Sequence, residues 1–155
     1  MAGYQHGYTI KGVTVTEEEW RAHYRRSAFG GPSEHRRDAC VTLAGQFADM
    51  LAGWGEIRPE PWGEFLEGAE VSREEVEAGY DGLPDDHLSV LKSLKALSAD
   101  PYEKGSLEDL YNEVVADARE LVSEHWSEVE AVVRALERNG RLDGADVVKI
   151  IESAS

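Results

Sequence analysis

The sequence predicts a mainly α fold: a helical domain around a long C-terminal helix, with a short N-terminal β-strand or hairpin arm. Two apolar patterns and one short β-rich segment predict it. Leu107, Leu110, Tyr111, Val114, Ala118, Leu121, Val122, His125, Val129, Val132, Val133 and Leu136 step by three and four. Ala39, Leu43, Phe47, Met50 and Leu51 do the same, with Cys40, Ala44 and Ala48 widening the stripe. Tyr8–Val15 is β-branched and aromatic over a strand's length.

Taken in order, Tyr8–Val15 is the predicted strand arm, and Thr16 with Glu19 reads as a capping box for a short helix to about Arg26. Ser33 caps the next helix, which Gly53 or Gly55 closes. Trp54, Trp62, Phe65 and Leu66 lie among Pro59, Pro61, Gly63 and Gly68, which predicts an aromatic-pinned loop over 55–70. Ser72 with Glu75 opens a short helix ended by Gly79 or Gly82, and Pro84-Asp85-Asp86 opens another that stops before Pro101. Ser106 with Asp109 starts the long helix and Asn139-Gly140 ends it, with a restart at Ser127 implying a kink near Trp126. A last helix runs from about Ala145 to Ser153. The expected division is an arm and short helix over 1–32, then a helical domain over 33–155.

Charge narrows the function classes. The 155 residues hold 31 acids against 16 Lys plus Arg, a formal net charge of −15. Such a chain repels phosphate backbones, so direct nucleic-acid binding is not expected. Residues 1–40 carry +1, whereas 56–86 hold eleven acids and two arginines, a net of −9. His23, Arg25, Arg26, His35, Arg36 and Arg37 form a small basic cluster near the start. Cys40 is the single cysteine, which excludes an internal disulfide and a multi-cysteine zinc site. The first seven residues lack a basic and an apolar region, predicting no signal peptide, and no apolar stretch spans a bilayer. A cytoplasmic protein is expected.

Leu43-Ala44-Gly45-Gln46-Phe47-Ala48-Asp49-Met50-Leu51 is similar to a conserved-pattern helix in the peptidase domain of the FtsH-type ATP-dependent zinc metalloproteases. Asp85-Asp86-His87-Leu88 resembles the segment bearing that family's carboxylate zinc ligand. Glu124–Glu130 and Asn139–Val147 look like its C-terminal helices. The resemblance covers roughly residues 33–152 and implies a peptidase-like helical scaffold. It also implies that Gly45 admits close approach of the long C-terminal helix, so that Gly45→Leu overpacks.

The chemistry of that family is not written in this chain. Its zinc site needs HExxH, two histidines one turn apart with a glutamate base. His6, His23, His35, His87 and His125 include no such pair, and no GxxxxGK[ST] is present. No catalytic residue, metal or cofactor is therefore assigned. Glu34, His35 and Asp38 could join Asp85, Asp86 and His87 as a metal set, but helix-terminal acids and surface histidines account for them more simply. Cys40 on an apolar stripe reads as an inert buried thiol. The weak candidate pocket is His35, Trp54, Trp62, Asp86 and His87.

Three function classes follow. The first is a non-catalytic protein-interaction or regulatory protein, a pseudoenzyme whose partner is another protein or itself. The second is a small enzyme with a pocket around Asp86, His87 and His35, and the third an acidic inhibitor mimicking nucleic acid. A homodimer is expected because the Tyr4–Val15 arm has no evident partner strand, and the basic cluster could meet the acidic stretch of another copy.

Overall fold

A computed structural model describes residues 9–15, 20–25, 32–77 and 86–155, with side chains from Glu34 onward except Val76. The fold is mainly α. In chain order the elements are β1 (Thr9–Val15), β2 (Trp20–Arg25), α1 (Pro32–Trp54), α2 (Trp62–Glu77) and α3 (Asp86–Leu97). Then follow α4 (Ser106–Glu124), α5 (Trp126–Asn139), β3 (Arg141–Asp143) and α6 (Gly144–Ala154). None of the helices is long and apolar enough to cross a membrane among the described residues.

The chain forms two compact units, Gly30–Glu120 and Met1–Phe29 with Leu121–Ser155. The expected boundary at residue 32 thus falls close to one edge of the first unit. The expected single domain over 33–155, however, is divided near Leu121.

In the helical unit α1 packs along α3, and α2 also packs on α3. The predicted α1 stripe is buried at Ala39, Cys40, Leu43, Ala44 and Phe47, while Met50 and Leu51 are only half-buried. Pro32 opens α1, where its missing N–H costs nothing. Gly55 closes it at φ 76°, donating its N–H to the Leu51 carbonyl. At the N-terminal end, Arg36 donates from Nη1 to Glu113 (2.9 Å) and from Nη2 to Asp117 (2.7 Å) on α4. These carboxylates raise the Arg36 pKa and already neutralise one member of the predicted basic cluster.

The predicted loop over 55–70 and the helix opening at Ser72 are both corrected. α2 begins at Trp62 and runs unbroken through Gly63, Gly68 and Ser72. Buried Ser72 does not cap a helix; its hydroxyl donates to the Gly68 carbonyl one turn back (2.9 Å). Residues 78–85, including the expected helix end at Gly79 or Gly82 and the expected helix start at Pro84 and Asp85, lie outside the described residues.

The expectation for Gly45 is also overturned. Gly45 is exposed, and a Cβ built there meets nothing within 4 Å. With no close neighbour, Gly45→Ala should stabilise the protein by about 1 kcal/mol through helix propensity, and Gly45→Leu should not overpack. A rise in the urea midpoint without a change in slope would show it; a fall would show a hidden contact.

The second unit contains the sheet, in the order β2-β1-β3 and antiparallel throughout. The short helix expected over 16–26 is instead a strand at Trp20–Arg25, paired Thr14↔Arg21 and Val13↔Ala22. Thr16 and Glu19, its supposed capping box, lie outside the described residues. On its other side β1 pairs Val13↔Leu142 and Thr14↔Arg141. The strand expected to lack a partner is thus the central one, which removes that motive for dimerisation.

α6 packs on β1 and α5. Ala135, Leu136, Leu142, Val147 and Ile151 make the buried cluster. The long helix breaks at His125, as the kink near Trp126 anticipated, and Gly140 at φ 69° ends α5 by donating to the Leu136 carbonyl (2.7 Å). Val133, expected on the apolar stripe, is 46% exposed.

Candidate functional site

Two helices and the segment before α2 build a cleft of about 340 Å³ lined by Gln46, Asp49, Met50, Trp54, Glu60 and His87. Helical spacing puts Gln46, Asp49, Met50 and Trp54 on one face of α1. Trp54 is 65% exposed. Glu60 comes from the segment before α2, held between Pro59 and Pro61, whose rings bias the chain away from helix. His87 stands in the first turn of α3.

Behind the cleft lies an aromatic stack. The Phe65 ring packs against His87 (centroids 5.3 Å), Tyr111 (4.6 Å) and Trp62 (5.6 Å). His87 Nε2 lies 2.8 Å from Glu60 Oε2, and the Tyr111 hydroxyl donates to the Glu60 carbonyl at 2.9 Å. Burial, followed by the charge of Glu60, pushes Tyr111 up to about 12, so it remains a phenol donor at neutral pH. Gln46 donates to Asp86 at 3.4 Å.

Gly68 makes the His87 position possible. A Cβ there would stand 2.9 Å from His87 Cδ2 and Nε2. Gly68→Ala should therefore forgo the gain expected of Gly45→Ala and displace the imidazole from Glu60. Comparing the two variants by chemical denaturation checks this: equal stabilisation would mean that His87 gives way freely.

Of the predicted pocket residues, Trp54 and His87 share the cleft, Asp86 is tied to its wall through Gln46, and Trp62 does not line it but packs behind it on Phe65 and Tyr111. His35 does not belong. It lies nineteen residues before Trp54 on the same helix, about 28 Å along it at 1.5 Å per residue. The two halves of the alternative metal set also stay apart: Asp86 meets α1 at Gln46, eight residues and about 12 Å along the helix from Asp38, and Asp85 lies outside the described residues. Among the described residues, no three His, Cys, Asp or Glu side chains converge as metal ligands. Cys40 is buried, and that burial, followed by the charge of Asp117, pushes its thiol up to about 11.

The sequence reading missed Glu60 and the wall of Gln46 and Asp49. Glu60 was hidden in the acidic run, although its two flanking prolines mark a carboxylate held in place.

Another buried polar cluster lies in the sheet-bearing unit. Glu128 accepts from His125 Nδ1 (3.1 Å), Ser127 (2.9 Å) and Ser155 (3.2 Å), joining the start of α5 to the end of α6. These donors, led by His125, lower its pKa from 4.5 to about 2 against the opposing effect of burial. A depressed carboxylate stabilises the fold fully above the unfolded-state value of 4.5, and that stability is lost as pH falls through 2. Glu128→Gln should flatten the parent's loss of stability across this window by up to about 3 kcal/mol. Parallel acid titrations of the two proteins would contradict the assignment.

No protein-family model, curated protein or solved structure matches the chain.

Proposed function

We propose that this chain is a non-catalytic protein-interaction or regulatory protein on a metallopeptidase-like helical scaffold, with the Trp54 cleft as its contact surface. The exposure of Trp54 beside a concavity carries the reading. An indole left in water forgoes hydrophobic stabilisation on the order of 2 kcal/mol, and burial against a partner recovers it. Met50 adds an adaptable apolar surface, while Asp49 and Glu60 supply negative charge. A partner presenting Lys or Arg beside an apolar residue fits that chemistry, since a cation can lie over the indole face. Tyr102 is even more exposed, at 95%, but it lies on a turn outside this cleft, and isolated exposed aromatics are ordinary.

Other groups that could serve catalysis have structural occupations. His87 is held by Glu60 and packed over Gly68, and Cys40 is a protonated buried thiol at neutral pH. A small enzyme using His87 with Glu60 as base is the second reading, favoured by their 2.8 Å approach at the cleft.

A photoreactive residue at position 54, compared with one at position 102, separates the readings in the cells that make the protein. The interaction reading expects a discrete protein adduct at 54 and none at 102. No protein adduct at 54, or the same adducts at both positions, would overturn it.

A further inference from the structure

The charge is distributed unequally between the two compact units. Gly30–Glu120 holds eight Lys or Arg and 21 acids, a net of −13. Met1–Phe29 with Leu121–Ser155 holds eight against ten, a net of −2. Within this near-neutral unit, α5 and α6 enclose a cleft of about 350 Å³ that no carboxylate lines. Its cations are Arg134, Arg138 and Lys149, around a floor of Ala135 and Ile150. Arg134 has a loose contact with Glu130, 3.7 Å away on its own helix. Arg134 and Arg138 are one helical turn apart, so they present charge at the pitch of a helix.

The matching surface is on α2. Glu67, Glu70, Val71 and Glu74 fall at helical spacing on its solvent face, opposite buried Phe65, Ala69 and Ser72. Val71 is 56% exposed, an apolar residue bordered by carboxylates at the same one-turn pitch.

We propose that the Arg134–Arg138–Lys149 cleft receives the Glu67–Glu70–Val71–Glu74 face of α2 from a second copy of the chain, head to tail. The proposal rests on the protein-interaction reading but not on the Trp54 surface. Val71 would meet Ala135 and Ile150, and its flanking carboxylates would meet the cations. The two surfaces differ, so the pairing is heterologous and can add further copies. Like-charge repulsion between whole chains opposes it, which makes the association weak and dependent on concentration.

Charge reversal tests this with the full chain. By sedimentation velocity, the parent should exceed 17.2 kDa increasingly with concentration. Arg134→Glu/Arg138→Glu and Glu70→Lys/Glu74→Lys, each confirmed folded by circular dichroism, should each be monomeric. Mixed, they should associate again, because the acidic α2 face kept by the first meets the cationic cleft kept by the second, and the two reversed surfaces are also of opposite charge. Trp54→Ala should associate like the parent. A parent monomeric at high concentration, a mixture that stays monomeric, or association abolished by Trp54→Ala would each overturn the pairing. Trp54-dependent association would instead place self-contact at the first cleft. A monomeric parent that still gives the position-54 adduct would leave the interaction reading standing.

Discussion

Deleting residues 1–15 should abolish the cooperative unfolding transition of the sheet-bearing unit. β1 is its central strand, hydrogen-bonded to β2 on one edge and β3 on the other, with α6 packed on it. Removing it leaves β2 and β3 with no strand between them and uncovers the side of α6 that met β1. The buried cluster of Leu136, Leu142, Val147 and Ile151 is too small to hold α5 and α6 alone. Hydrogen exchange should show protection lost over 141–154 but retained in α1 and α3. Had the segment been a free arm, deletion would leave protection intact and change only self-association. Those two outcomes are easily told apart.

Phe65→Ala should destabilise the helical unit by about 3–5 kcal/mol. Phe65 is 2% exposed and its ring contacts Trp62, Tyr111 and His87 at once. Truncation leaves a cavity among rings that cannot collapse without leaving their other partners, including the Tyr111 bond to Glu60. Against a total stability of about 5–15 kcal/mol, a loss of this size should lower the denaturant midpoint steeply. Phe65→Leu should cost clearly less because it restores most of the volume. Equal losses for the two variants would show that the ring contacts, rather than filled space, set the cost.

Legibility in the sequence followed the range of the interactions. α1, α3 and α4 were readable because burial of one helix face imprints an apolar stripe, and the ends at Gly55 and Gly140 because left-handed backbone selects glycine. α2 was misread because Gly63 and Gly68 look like breakers. At Gly68 the missing side chain admits His87, a tertiary cause that no local pattern states. β2 was misread because Thr16 and Glu19 imitate a helix start, whereas Trp20–Arg25 gains its hydrogen bonds from β1. β3 has three residues and only Leu142 buried, too little alternation to notice.

The site was legible in part for the same reason. Trp54 and His87 stood out as chemistry-bearing residues, yet their meeting depends on how α1 and α3 pack. His35 was grouped with them by residue type, although helix rise places it at the far end of α1. The cationic cleft was also missed. Its residues are scattered over 134–149, while the eye falls on the consecutive Arg25-Arg26 and Arg36-Arg37 pairs.

If the Trp54 cleft is the working surface, titration calorimetry with the protein captured at position 54 will show it. The parent, Trp54→Ala and Tyr102→Ala should share one melting temperature. Trp54→Ala should weaken binding by roughly 30-fold or more, as loss of a buried tryptophan anchor does, while Tyr102→Ala should bind like the parent. Equal affinity for all three proteins would contradict it.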